Sequence, residues 1–214
     1  QRNAVYGAMV ERMDFNVGRI SSKLRELGLE EKTLVILVSD NGGLATVTNN
    51  LPLRAGKGFL YEGGIRVPLI ASWPGRVQSG TVCEIPTISH DLYPTIMDFV
   101  EESGPADGIE GRSLAPFLTG EGGLQENPLY WYYPHYSPQA QQPSAAVRDG
   151  EYKLIRFYDP EKLELYNLEE DPGEMNDLSG EMPELREKLL GKLNGWLEDS
   201  DTIMHTLNPA YREE

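Results

Sequence analysis

The sequence predicts an α/β chain in two parts. Residues 1–125 carry part of a mixed or parallel sheet with flanking helices. Residues 126–214 form a small α+β subdomain with an antiparallel sheet and one helix. Three observations carry this reading. A helix-period apolar pattern over residues 5–27 leads through a short link into the continuous apolar run Val35–Val38. The dipeptide Asp149-Gly150 lies between two β-prone runs. A second helix-period pattern then occupies residues 183–198.

In the first helix Tyr6, Met9, Val10, Met13, Val17, Ile20, Leu24 and Leu27 recur at steps of three and four, the spacing of one helix face. Gly28 is placed to end it, because glycine adopts the left-handed conformation a helix C-terminus needs. The run Val35–Val38 has no polar alternation, which suits a central strand of a parallel sheet covered on both faces. Residues 67–73 make a second strand, closed by Trp73-Pro74-Gly75. Residues 81–86 read as a short strand holding Cys83 as a small buried hydrophobe. Ser89 or Asp91 opens a helix with Pro94 in its first turn. His90 there reads as a partly exposed residue at a helix start, since adjacent residues on a helix do not face each other. Residues 104–123 are Gly-rich and loop-like, with a boundary near 125.

Past that boundary the pattern changes. NPLYWYYPHYS is aromatic and β-prone, and SAAVRDGEYKLIRFY reads as a hairpin around Asp149-Gly150. LELYNLEEDPGEMNDL adds a strand and a turn. Leu185, Leu189, Leu193, Trp196 and Leu197 share one face of the last helix, with Pro183 near its start. His205 reads as a surface residue.

Composition narrows the function. The chain has 214 residues and is 39% hydrophobic, enough for a core. Its 34 acidic residues against 19 basic ones give a formal charge of -15. That argues against nucleic acid as a partner, because phosphate contacts need a basic surface. One cysteine excludes an intrachain disulfide and a Cys-based zinc site. No stretch is long and apolar enough to span a membrane. Gln1 is not an initiator Met, so the chain is expected to begin part-way through a gene product.

The chemistry concentrates in LVILVSDNGG followed by LPLRAGKGFLYEGGIRVP. Asp40 and Asn41 sit where the first strand exits, the end at which open α/β sheets bind ligands. A carboxylate beside an amide carbonyl offers two hard oxygens of the kind Ca²⁺ and Mg²⁺ prefer. Gly42 and Gly43 let the backbone turn sharply. Read alone, Asp-Asn-Gly-Gly is equally a turn signal, and a Lys between glycines equally a solvated loop residue. An isolated turn does not explain the long Gly-rich, basic segment that follows. Arg54, Lys57 and Arg66 cluster there in an otherwise acidic chain, and local positive charge favours an anionic group. For Arg54 and Arg66 a structural role is expected, through Glu62 or backbone carbonyls. His135, among aromatics in YYPHY, either lines a substrate pocket or packs in a core.

SDNGG with LRAGKGFLYEGGIRVPLIASWPG resembles the second half of the formylglycine-dependent, alkaline-phosphatase-like sulfatases. DLYPTIMD, GIEGRSLAPFLTG and the C-terminal strands and helix extend the resemblance loosely over almost the whole chain. The resemblance implies an arylsulfatase-like sulfuric ester hydrolase. In it Asp40 and Asn41 bind the cation, usually Ca²⁺ with Mg²⁺ as the other candidate, and Lys57 contacts the sulfate ester. The substrate would be a sulfated small molecule or sulfated carbohydrate, with His135 on the substrate side. The family's nucleophile is a formylglycine made from the first residue of a C/S-x-P-S-R motif. Cys83 is followed by Glu-Ile-Pro, and Ser103 by Gly-Pro-Ala-Asp, so neither fits. The N-terminal portion of the same enzyme is therefore the expected source of the nucleophile and the remaining metal ligands, and this chain alone is expected to be inactive. Family resemblance suggests a periplasmic, secreted or lysosomal protein. Two other readings stand beside it: a phosphoesterase or phosphonate hydrolase of the same superfamily, and a non-catalytic binding module that kept the fold.

Overall fold

The computed structural model describes residues 3–100, 108–139, 141–200 and 202–206. The rejected motif at Ser103 lies outside them. The chain divides into two compact units. One is Asn3–Ser39 with Pro68–Glu126, and the other is Asp40–Val67 with Asn127–Glu214. The DNGG turn and the GKG loop thus belong to the same unit as the C-terminal sheet.

In the first of these units, helix α1 spans Ala4–Glu26. Asn3 caps it, accepting the Tyr6 N–H at 3.0 Å. At its end Gly28 takes φ +66°, and Leu29 N–H returns to Leu24 O at 2.9 Å. No residue of α1 is buried; Met9, Met13 and Ile20 of its apolar stripe are all exposed. Strand β1, Val35–Val38, pairs among the described residues with β2 alone, Leu69–Ser72, and the pairing is antiparallel, with Val35 opposite Ser72 and Val38 opposite Leu69. This corrects the expectation of a buried parallel strand. A short run of apolar residues reports burial potential and carries no information on strand direction, and Leu37, Val38 and Ile70 are exposed among the described residues.

Three further expectations change. Residues 81–86 form no strand, and Cys83 is exposed; Gly80 at φ +75° turns the chain before the segment, and Pro86, which lacks an N–H, ends it. The Gly-rich stretch contains a short helix, α4, Ala115–Thr119, with Pro116 in its first turn and Gly120 at φ +77° after it. Helix α3, Leu92–Phe99, follows a 3₁₀ turn at Ser89–Asp91. His90 is exposed in that turn, while Asp91 is buried and ties two loops by accepting the N–H groups of Ile88 (3.1 Å) and Arg112 (2.9 Å).

The other unit is built on a four-stranded antiparallel sheet in the order β3 (Leu129–Tyr133), β4 (Ser144–Asp149), β5 (Tyr152–Tyr158), β6 (Glu161–Asn167). The β4–β5 turn is Gly150–Glu151, one residue later than the dipeptide reading, with Asp149 paired to Tyr152 and Gly150 at φ +61°. Alternation divides the strands between two cores. Ala145, Val147, Leu154 and Leu165 meet Leu189, Leu193 and Leu197 of α5, Pro183–Asp199. Each such leucine contributes ~1.5–3 kcal/mol on burial. Ala146, Ile155, Phe157 and Tyr166 meet Leu60, Tyr61 and Leu168. The segment carrying the GKG loop is thereby packed on the sheet. His205 is half-buried rather than on the surface, because its backbone N–H and Nδ1 both engage the Tyr132 hydroxyl.

Candidate functional site

Asp40 follows β1 by one residue and is exposed; Asn41 is half-buried, its amide nitrogen donating to Gly42 O at 2.9 Å. The turn they begin is joined to the later loop by backbone bonds. Gly42 N–H donates to Gly64 O at 2.9 Å, and Lys57 N–H donates to Gly43 O at 3.1 Å. The approach is so close that a Cβ on Gly42 would stand 1.8 Å from Gly63 O, and one on Gly56 would stand 2.2 Å from Gly43 O. Glycine is therefore required on both sides of this contact. The Asn50 side chain completes it, accepting from Gly43 N–H and donating to the carbonyls of Gly43 and Ala55. The fold thus brings the DNGG turn and the GKG loop together, with the Lys57 side chain exposed.

The loop bearing His135 reaches the same place. A Cβ on Gly58, the residue after Lys57, would meet Gln139 Oε1 at 2.7 Å and Ser137 Oγ at 3.2 Å. His135 itself is exposed, its ring edge-on to Tyr133 with centroids 5.5 Å apart.

Beneath the loop lies a buried polar cluster. Lys153 Nζ donates to Glu62 Oε1 at 3.0 Å and Glu174 Oε1 at 2.9 Å, and Glu174 Oε2 accepts the Glu62 N–H at 2.7 Å. Glu62 Oε2 faces Arg148 at 3.5 Å and the exposed Arg66 at 3.9 Å. Burial drives the Glu174 carboxyl upward, with Lys153 pulling it partly back. Arg54 donates to Tyr166 Oη at 2.9 Å and Glu174 O at 2.7 Å and lies 3.9 Å over the Tyr61 ring. Tyr61 and Tyr166 both donate to Glu164 Oε2, and burial together with that carboxylate raises both phenol pKa values. Arg54 and Arg66 are held in structural contacts, as the sequence reading expected.

Sequence reasoning missed Asn50, Lys153 and Glu174, and named Glu62 only as a partner for the arginines. Lys153 carried a signal: in YKLIRF it occupies the same strand phase as Ile155 and Phe157, where a charge must be paired. Asn50 carried none, since its partners are set by the loop's path.

The donor set fits a hard divalent cation in kind. Asp40 and Asn41 offer oxygens, but Ca²⁺ takes six to eight in general. No group of three or more His, Cys, Asp or Glu side chains is placed to hold a metal among the described residues. No helix among them is long and apolar enough to cross a membrane. Chemically, then, the unit offers two hard oxygens and an ammonium on adjoining glycine-rich turns.

The chain is similar to known sulfatases. Residues 55–199 match the family described as N-sulphoglucosamine sulphohydrolase, C-terminal, and residues 1–102 match the family described as Sulfatase. The chain is 37% identical to a sulfatase of Formosa agariphila over 220 residues, covering 91% of this chain and 39% of that protein. It is 34% identical to human arylsulfatase A over 200 residues, covering 82% of this chain and 39% of that protein. It spans about two fifths of both relatives. A structure solved in complex with its substrate D-glucosamine-2-N,6-O-disulfate superposes with TM-score 0.76 at 26% identity, covering 90% of this chain and 39% of the other. The chain belongs to the sulfatases: over half of its length, residues 55–199, matches the family described as N-sulphoglucosamine sulphohydrolase, C-terminal.

Proposed function

We propose that this chain supplies half of the active site of a sulfuric ester hydrolase. Asp40 and Asn41 contribute oxygens to a divalent cation, Ca²⁺ or Mg²⁺, and Lys57 binds a sulfate oxygen. The observation that carries this reading is the backbone bond from Lys57 N–H to Gly43 O, which joins the cation-binding turn to the anion-binding loop. Such a cation, when bound, offsets negative charge on the sulfate and on the attacking group. Lys57 adds a charge-assisted hydrogen bond whose strength grows as charge builds on the transferring group. His135 stands on a loop that reaches Gly58 and is assigned to the sugar or aryl part of the substrate.

The substrate class is a sulfated small molecule or sulfated carbohydrate, supported by the sulfated sugar in the similar structure. The N-terminal portion of the same enzyme is assigned the formylglycine nucleophile and the remaining ligands. The coverage of the relatives supports this, as do the exposed apolar side chains of α1. A periplasmic, secreted or lysosomal site is proposed from the family alone.

The test is hydrolysis of p-nitrophenyl sulfate and p-nitrophenyl phosphate by the intact enzyme, with and without a chelator. Chelator-sensitive sulfate ester hydrolysis that falls on Lys57→Ala is expected. Turnover of the phosphate ester alone, or of neither ester, would overturn the reading.

A further inference from the structure

We infer that Asn50 is a positioning residue that sets the cation-binding turn against the Lys57 loop; this rests on the reading above. Both N–H groups of its amide and one lone pair of its oxygen are used. Oδ1 accepts the Gly43 N–H at 2.9 Å, while Nδ2 donates to Gly43 O at 2.8 Å and Ala55 O at 2.9 Å. One side chain therefore grips both backbone groups of Gly43, two residues from Asn41, and a backbone carbonyl two residues from Lys57. Gly43 O is shared, since it also accepts the Lys57 N–H.

The surroundings are cut to admit this amide. A Cβ on Gly56 would lie 2.6 Å from Asn50 Nδ2, and one on Gly43 would lie 2.9 Å from Asn50 Oδ1. Only an amide serves here, because the clamp needs one acceptor and two donors at fixed places. Aspartate has the same size but sets an anionic oxygen against two carbonyls. Loss of the clamp frees the turn and the loop from each other, and a misplacement of about 1 Å costs about 100-fold where groups must be held in place.

The test compares intact wild-type enzyme with Asn50→Asp and Asn50→Ala, and with Asn49→Ala as the exposed neighbour control. Ca²⁺ affinity is read by calorimetry, kcat and KM with p-nitrophenyl sulfate at saturating Ca²⁺, and folding by circular dichroism. Both Asn50 variants are expected to bind Ca²⁺ about 10–100-fold more weakly, the usual cost of losing a group that orients a metal ligand. Their kcat should stay depressed at saturating Ca²⁺, with KM changed less, and Asn49→Ala should match wild type. If Asn50→Ala fails to fold, the size-matched Asn50→Asp decides. Wild-type Ca²⁺ affinity and kcat in a folded variant would overturn the inference while leaving the sulfatase reading intact. So would a kcat loss fully explained by a smaller folded fraction. A wild-type enzyme that binds Ca²⁺ but cleaves no sulfate ester, with binding still weakened at Asn50, would sink the sulfatase reading and support the clamp. Binding of neither Ca²⁺ nor Mg²⁺ by the wild type would overturn both.

Discussion

Lys153 on β5 and Glu62 at the start of α2, Glu62–Ile65, form a 3.0 Å ion pair between side chains that are 0% and 2% exposed. They are 91 residues apart. The pair fastens the segment that carries Lys57 to the C-terminal sheet, so the subdomain acts as the footing of the Lys57 loop.

Lys153→Met removes the ammonium that bridges two buried carboxylates, Glu62 and Glu174. Breaking a buried pair costs about 3–5 kcal/mol, because the partners keep their desolvation penalty without compensation. Chemical denaturation of the intact enzyme should show a loss of that size. A double variant, Glu62→Gln with Lys153→Met, should recover part of it.

Gly64→Ala should damage the loop more than its one added carbon suggests. The Cβ would meet Phe59 O at 2.0 Å and Gly56 O at 2.5 Å, both backbone atoms. Overpacking of this kind costs about 1–3 kcal/mol or more, and the strain falls on the residues either side of Lys57. Thermal unfolding should report the first effect and kcat/KM on a sulfate ester the second.

Asp177 gives a pH signature. Burial pushes its carboxyl up, but N–H groups of Ser179 and Leu165 outweigh that and hold it below the usual carboxylate range. A depressed folded-state pKa contributes stability above the unfolded value, and that stability is lost as pH falls through the folded one. Asp177→Asn should therefore destabilise the enzyme by about 1 kcal/mol at neutral pH, the scale of a hydrogen bond. The gap from wild type should close as pH falls below the ordinary aspartate value and through the depressed folded one. Denaturant midpoints across acid pH measure this.

Much of this was written in local patterns. The leucine spacing of α5, the Asp149-Gly150 turn signal and the Gly28 cap are short-range features, and each element formed close to its reading. What stayed hidden depends on partners far along the chain. The direction of β1 is set by β2, whose residues lie more than thirty positions later. Cys83 looked buried by type alone, yet its segment lacks a strand to join. At the site, Asp40, Asn41 and Lys57 were visible as motif residues. Asn50 was not, because its role exists only once the two glycine-rich turns touch, and Glu62 was visible as an arginine partner but not as the partner of Lys153.

The apolar side chains of α1 predict a further contrast. Produced alone, this chain should bind a hydrophobic dye through Met9, Met13 and Ile20. The intact enzyme should bind much less. Equal dye binding by both would mean that α1 stays uncovered.

The most direct test of the central claim is the Ca²⁺ dependence of p-nitrophenyl sulfate hydrolysis by the intact enzyme, compared with its Asp40→Ala variant. Loss of a cation ligand should raise the half-saturating Ca²⁺ on the order of 100-fold or more, at least the cost of losing a group that only orients a ligand. An unchanged half-saturating Ca²⁺ in a folded Asp40→Ala enzyme would contradict the account.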